Sequence, residues 1–382
     1  MVPGATAGAG AKPGVKARLV GAAYGLGWLA VCRLPESWAA AAFRFVADIA
    51  WRRQGPRIQV LEGNLRRVLG PAATGRELRA ASRAAMRSYA RYWLEIFRLP
   101  VMPAQRLVGG MVETGMVEAM LGNLKAGRGV VVPLPHMANW DQAAVWVMAR
   151  GADSFTTVME HLEPESVYEQ FLSFRQGLGM EVLPASGGPS PFGVLAQRLR
   201  AGGLVALPCD RDVTGSGIEV DFFGEKALMM GGPAALAVQT GAALMPATLW
   251  FEDDRWGVRV HEEIPVPESG DRWQKATAMT QQVARAFEED RWGVRVHEEI
   301  AVPESGDRWQ KATAMTQQIA RAFEEGIREH PADWHMLQRV FVDDLDPERL
   351  AIARAKIAAR ERAAKRTGAS PDPPTGTAGD GP

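Results

Sequence analysis

Gly129-Val130-Val131-Val132-Pro133-Leu134-Pro135-His136-Met137-Ala138-Asn139-Trp140-Asp141 runs from an unbroken apolar segment into a hexapeptide that holds two ionisable side chains. A short, continuous, β-branched run predicts a strand buried on both faces, as in a parallel sheet. In open α/β sheets, ligands bind just beyond the carboxyl ends of the strands, which is where His136 falls. Imidazole titrates nearest neutrality and can take a proton from a hydroxyl. A carboxylate at Asp141 could hold its tautomer and stabilise the imidazolium. The spacing alone equally allows His136 to cap the next helix and pair with Asp141, so both readings stand at this point.

Outward from this segment, short β-rich runs alternate with helical ones. Residues 155–158, 181–183, 204–207 and 243–250 join 129–134 as strands, and residues 140–149, 164–178, 191–201 and 232–240 read as helices. Such alternation predicts an α/β fold, a central mixed sheet flanked by helices. The first hundred residues read as helical instead, with a long helix over 77–97. The chain divides into a disordered start (1–14), an N-terminal helical membrane-associating region (15–105), an α/β domain (106–345) and a C-terminal helix with a disordered tail (346–382). Gly, Pro, Ser and Thr dominate that tail.

Composition narrows the function classes. The 382 residues carry 44 Lys and Arg against 44 Asp and Glu, so no net field argues for nucleic acid. Cys32 and Cys209 are too few for a disulfide framework or a zinc site. Cys209, although next to Asp210, reads as a small buried hydrophobe. Tightly spaced metal ligands and Gly-rich phosphate loops are absent from the sequence, so metal-assisted hydrolysis and nucleotide chemistry are not expected.

The apolar stretch Leu19–Cys32 spans 14 residues, short of the roughly 18 needed to cross a bilayer. It reads as an interfacial helix, followed by a second over Glu36–Arg53, in which Trp38, Ala42, Phe45, Ile49 and Ala50 recur at helical spacing. Arg52, Arg53, Arg57, Arg66 and Arg67 could meet anionic headgroups, or could simply be solvated.

Residues 254–289 and 290–325 are nearly the same 36-residue sequence twice, differing only at Pro265 against Ala301 and Val283 against Ile319. Each copy encodes a strand and a helix striped by Trp273, Met279, Val283 and Phe287 or their counterparts. Two copies do not make a solenoid. A tight turn at Glu252-Asp253-Asp254 favours pairing 243–250 with the strand of the first copy. Continuity into Gly326-Ile327 favours the helix of the second. The segment between, about 271–306, is expected to be extruded, and His261 and His297 to face solvent or a structural partner.

The histidine hexapeptide and two later blocks together carry a resemblance. These are Asp210-Arg211-Asp212-Val213-Thr214-Gly215-Ser216-Gly217 with Val220–Glu225, and Gly231–Ala237 through Ala242. From about residue 15 to 345 the chain resembles the phosphatidylinositol mannoside acyltransferases, relatives of the lipid A lauroyl and myristoyl acyltransferases. The resemblance implies transfer of a fatty acyl chain from acyl-CoA, a co-substrate with no cofactor or metal beside it, to a mannose hydroxyl of a phosphatidylinositol mannoside. It implies a peripheral enzyme at the cytoplasmic face of the cell membrane. It implies His136 as general base, Asp141 as its orienting partner, and Asp210 nearby. Glu160, Arg175 and Arg211 would line the substrate site, and amides of 137–139 or 215–217 would face the oxyanion. Phe222, Phe223, Leu228, Met229 and Met230 are candidates for the acyl channel. His161 and His330 read as structural, His335 as a candidate contact to the acceptor sugar. Another glycolipid acceptor, a thioesterase, and a membrane-surface protein inactivated by its duplication remain alternatives.

Overall fold

A computed structural model describes residues 27–161, 165–185, 190–212, 217–267 and 308–347, with single positions at 350, 351 and 355. The predicted strand at the head of the hexapeptide is present as β2 (Val130–Leu134), buried throughout. It lies inside a five-stranded sheet with β3 (Phe155–Met159), β4 (Glu181–Pro184), β5 (Leu204–Pro208) and β8 (Ala243–Leu244), in the order β4-β3-β5-β2-β8. Every pairing in that sheet is parallel, which corrects the expectation of a mixed central sheet. The cause is the connections. Helices α6 (Trp140–Ala149), α7 (Glu165–Gly177) and α8 (Pro191–Arg200) each carry the chain back to the starting edge, and such crossovers join parallel strands.

The stretch 243–250, expected as one strand, is two. Pro246 falls between β8 and β9 (Ala247–Glu252), and there the chain passes from the parallel sheet into a three-stranded one. Between strands of the described residues, antiparallel pairing occurs in that sheet, where β10 (Arg255–Val260) runs against β9 and parallel to β1 (Met111–Gly115), and in the hairpin of β6 (Ile218–Phe222) and β7 (Glu225–Met229).

The N-terminal region is helical, as expected. Residues 27–33 are helical and precede α1 (Glu36–Arg52), α2 (Pro56–Leu69) and α3 (Gly75–Arg98). Thr74 and Glu77 cap α3 reciprocally, each side chain bonding the other's backbone N–H. α1 packs inward on Ala39 and Ala47, and its buried Asp48 takes two bonds each from Arg83 and Arg87 of α3. Its other face leaves Trp38 71% and Phe45 63% exposed. Among the described residues no helix is long and apolar enough to cross a membrane. Two short helices that sequence periodicity did not pick out, α4 (Ala104–Gly109) and α5 (Val117–Lys125), flank β1.

The duplication resolves as a hybrid. The strand in the sheet is that of the first copy, joined to β9 by the turn at Asp253-Asp254. The helix in the core, α10 (Arg308–Glu329), is that of the second. Met315, Ile319, Phe323 and Ile327 of α10 are fully buried. Two features select it. Gly326 lies so close to β9 that a Cβ there would collide with the Thr248 side chain, and Ile327 fills the core. The first copy would offer Asp290 and Arg291 at those places. The strand of the second copy and the helix of the first, with His297 and the expected extrusion of 271–306, lie outside the described residues. So do the first 26 residues and nearly all of the C-terminal tail. His261 is buried against the Thr248 hydroxyl (3.0 Å), so it faces a structural partner.

Candidate active site

Sheet register positions the first pair of functional groups. Leu134 of β2 is aligned with Pro208 of β5, so two residues further along each chain His136 stands opposite Asp210. Adjacent strands lie about 4.8 Å apart, within reach of a side-chain contact. The imidazole Nδ1 is 2.5 Å from Asp210 Oδ1, and the His136 backbone N–H donates to Oδ2 at 2.9 Å. The Trp334 indole donates to the same Oδ2 at 2.9 Å. Asp210 is sealed from solvent, whereas the imidazole is 32% exposed and forms part of a cavity wall. Burial pushes the Asp210 carboxyl up, but His136 and the bonds from Trp334 and the His136 backbone hold it below the usual carboxylate value. An ionised Asp210 fixes the proton of neutral His136 on Nδ1 and leaves the lone pair on Nε2.

Asp141 does something else. It is fully buried in the first turn of α6 and accepts from Arg175 Nε at 2.7 Å and Nη2 at 3.3 Å, and from the Tyr92 hydroxyl at 3.3 Å. The Arg175 guanidinium lies 4.3 Å from the centre of the Trp140 ring. The expectation that Asp141 orients His136 is therefore corrected: Nδ1 is held by Asp210. The reason is directional. The loop between strand and helix turns sharply at Ala138, a non-glycine residue at φ 44°, and this separates the histidine from the first turn of α6. Asn139 caps that helix through the Gln142 N–H (3.0 Å) and donates to the buried Glu95 at 2.9 Å.

The cavity has a volume of about 530 Å³. Val158, Met159, Phe171, Phe192, Leu195 and Leu236 give it an apolar wall. Of the five residues expected along an acyl channel, only Met230 lines it; Phe222, Leu228 and Met229 are buried core. Glu160 and Arg211 pair with each other at 2.7 Å on the wall, and Arg175 closes it from behind with Asp141. Cys209 is buried and its thiol is pushed well up by burial and by Asp210, as befits a packing residue. Three of the expected oxyanion amides are engaged elsewhere: Met137 N–H donates to Pro135 O, Ala138 N–H to Asp333 O, and Gly217 N–H to Asp212. Gly215 and Ser216 lie outside the described residues. His161 pairs with Glu165 at 2.8 Å, and His330 stacks on Trp250 at 4.8 Å.

Residues 333–335 form a third side of the site that sequence reading largely missed. Met137 and Trp334 form an antiparallel bridge, and the His335 N–H donates to His136 O at 2.8 Å. Trp334 had no signal in the sequence, because its partner Asp210 is 124 positions away. Ser88, Tyr92 and Glu95 of α3 were equally silent, being polar positions on a helix that reads as an ordinary amphipathic one.

Residues 17–289 match the family of bacterial lipid A biosynthesis acyltransferases. The chain belongs to this family. It is 41% identical over 331 residues to a phosphatidylinositol mannoside acyltransferase of Mycolicibacterium smegmatis, covering 86% of this chain and 93% of that one. A protein of the same name from Mycobacterium tuberculosis (strain CDC 1551 / Oshkosh) is 41% identical over 338 residues, covering 87% and 92%. The family match stops at the end of the first copy of the repeat, although the acyltransferase fold of this chain takes its core helix from the second.

Proposed function

We propose that this acyltransferase moves a fatty acyl chain, palmitoyl in the simplest case, from acyl-CoA to a mannose hydroxyl of a phosphatidylinositol mannoside, with His136 as base. The observation that carries the reading is the His136–Asp210 pair on the wall of a cavity whose opposite side is apolar. His136 Nε2 takes the proton of the acceptor hydroxyl as its oxygen attacks the thioester carbonyl. Asp210 stabilises the imidazolium. The tetrahedral intermediate collapses with cleavage of the C–S bond, and the thiolate leaves with the proton from Nε2 as free coenzyme A. Of the amides expected at 137–139, those of Met137 and Ala138 are engaged; the Asn139 amide and the first turn of α9 (Gly232–Thr240), where Gly232 and Pro233 line the cavity, are the sources of oxyanion donors. A chain laid along the apolar wall gains about 0.8 kcal/mol per buried methylene. Glu160 and Arg211 stand where the polar part of a substrate would enter. Outward-facing Trp38 and Phe45, with exposed Arg52, Arg53 and Arg57, would seat the protein on an anionic cytoplasmic leaflet. Arg67 is not part of that set, since it is held by Glu225 at 2.6 Å and Asp344 at 2.7 Å.

The deciding experiment follows coenzyme A release from palmitoyl-CoA with and without phosphatidylinositol mannoside, beside His136→Ala. Release that needs the acceptor and falls by about 10³-fold or more in the variant is expected. Equal release without acceptor would make the protein a thioesterase.

A further inference from the structure

Glu95 of α3 does not line the cavity, yet three parts of the fold converge on its buried carboxylate. Oε2 accepts from the Trp256 indole of β10 at 2.7 Å and from Asn139 Nδ2, in the loop between β2 and α6, at 2.9 Å. Oε1 accepts from Arg91 Nε, one turn earlier on α3, at 2.7 Å. Arg91 also donates to the carbonyls of Asp253 and Arg255, at 2.5 and 3.0 Å, and lies over the Phe251 ring. Glu95 is thus anchored to the three-stranded sheet and reaches the loop from a fixed position. Asn139, itself buried, uses both ends of its amide: the oxygen caps α6 through the Gln142 N–H, which leaves the NH2 end as donor to Glu95. Directly before it stands Ala138, whose φ of 44° is one that an L side chain keeps only where its surroundings over-determine it. On one side the Ala138 N–H is held by Asp333 O at 3.0 Å. On the other side the hold is the Glu95–Asn139 bond.

We propose that Glu95 is a positioning residue of acyl transfer: through Asn139 it holds the left-handed turn at Ala138, and so sets the His136 imidazole and the Asn139 amide against the reacting carbonyl. This rests on the reading of the cavity as an acyl-transfer site. The turn at Ala138 separates the direction of His136, which meets Asp210, from that of Asp141, which meets Arg175. Without the tie, Ala138 relaxes towards negative φ and turns the peptides on either side of it. The histidine then keeps its chemistry and loses its aim. Glu95 touches no substrate, so its loss acts on the rate of the bound complex and leaves binding in place.

The test uses the full-length protein, with palmitoyl-CoA and phosphatidylinositol mannoside in detergent micelles as substrates. Asn139→Ser keeps a cap for α6 and removes the donor that reaches Glu95; Glu95→Ala removes the acceptor at the other end. Each is expected to lower kcat about 10²-fold, with KM for both substrates within about threefold of wild type. Because the two changes cut one link, the double variant should fall no further than either single one. Ala138→Gly in the Asn139→Ser background is expected to recover most of the loss, since glycine takes positive φ without strain. In substrate-free protein labelled with 15N at histidine, the proton on His136 Nδ1 should shift between wild type and Asn139→Ser. Wild-type kcat in a folded Asn139→Ser, additive losses in the double variant, or a loss that Ala138→Gly leaves in place overturns the assignment. Wild-type protein that transfers no acyl chain, while the His136 proton still shifts in Asn139→Ser, would instead overturn the acyl-transfer reading and leave Glu95 as the tie of this turn.

Discussion

At the scale of single residues, two buried aspartates that look alike in the sequence have separate duties. Asp210 holds the proposed base; Asp141 neutralises Arg175, itself 7% exposed. Asp141→Asn should therefore act on stability, since it leaves a buried guanidinium uncompensated, at a cost of about 3–5 kcal/mol readable as a shifted urea midpoint. Asp210→Asn should act on turnover, lowering kcat on the order of 10³-fold or more by releasing the tautomer of His136. The reverse ranking would reverse the two roles. Acid sensitivity belongs to the same scale. His335 titrates at about 3 when folded against about 6.5 unfolded, so the unfolded chain binds the extra proton between those values and stability falls as pH drops below about 6.5. The slope is about 1.4 kcal/mol per pH unit, or about 2 kcal/mol by pH 5. Asp210, also lowered, has the same sense in a more acid window: its contribution is complete above the unfolded carboxylate value and is lost only below it. His261, also lowered by burial, adds to the acid loss. Urea midpoints of wild type and His335→Gln at pH 7 and pH 5 isolate the share of His335, and equal losses in both would remove it.

At the scale of elements, α1 shows how an amphipathic pattern can be correct and still leave its direction open. Trp38 and Phe45 recur at helical spacing as expected, yet the buried face is the small-residue one of Ala39 and Ala47. Small residues let α1 approach α3 closely enough for Asp48 to reach both Arg83 and Arg87. The large apolar side chains are thus left outside, where burying them in a lipid interface would gain free energy. A Trp38→Ser/Phe45→Ser double variant should lose at least about tenfold in affinity for vesicles containing anionic lipid while keeping its melting temperature within a few degrees. Retained binding would place membrane contact elsewhere. In the same way, the longer helices, β2 and β5 were legible from periodicity and apolar runs, whereas the short α4 and α5 and the break of 243–250 into two strands were not. It follows from which sheet each half joins.

At the scale of the whole molecule, the repeat is accommodated because the fold needs one strand and one helix and takes each where closure is easiest. The first strand is two residues from β9 through a tight turn, whereas the second would have to close a loop longer by 36 residues. The second helix alone continues into Gly326 and Ile327, and its Ile319 buries one methylene more than Val283, about 0.8 kcal/mol. Deleting residues 272–307 joins the strand in use directly to the helix in use. That chain should fold to the same site, with acyl-transfer activity within about threefold of the full chain. A deletion variant that fails to fold would show that the residues between have a structural duty. The sequence by itself determined the strand-to-helix junction at His136, the helical N-terminal region and the presence of two interchangeable strand–helix units, because these are written in local periodicity. Only the tertiary structure decided that Asp210 rather than Asp141 holds His136 and that residues 333–335 complete the cavity wall. Those outcomes depend on strand register, on the direction in which buried side chains point and on contacts between residues far apart in the chain, none of which has a local signature.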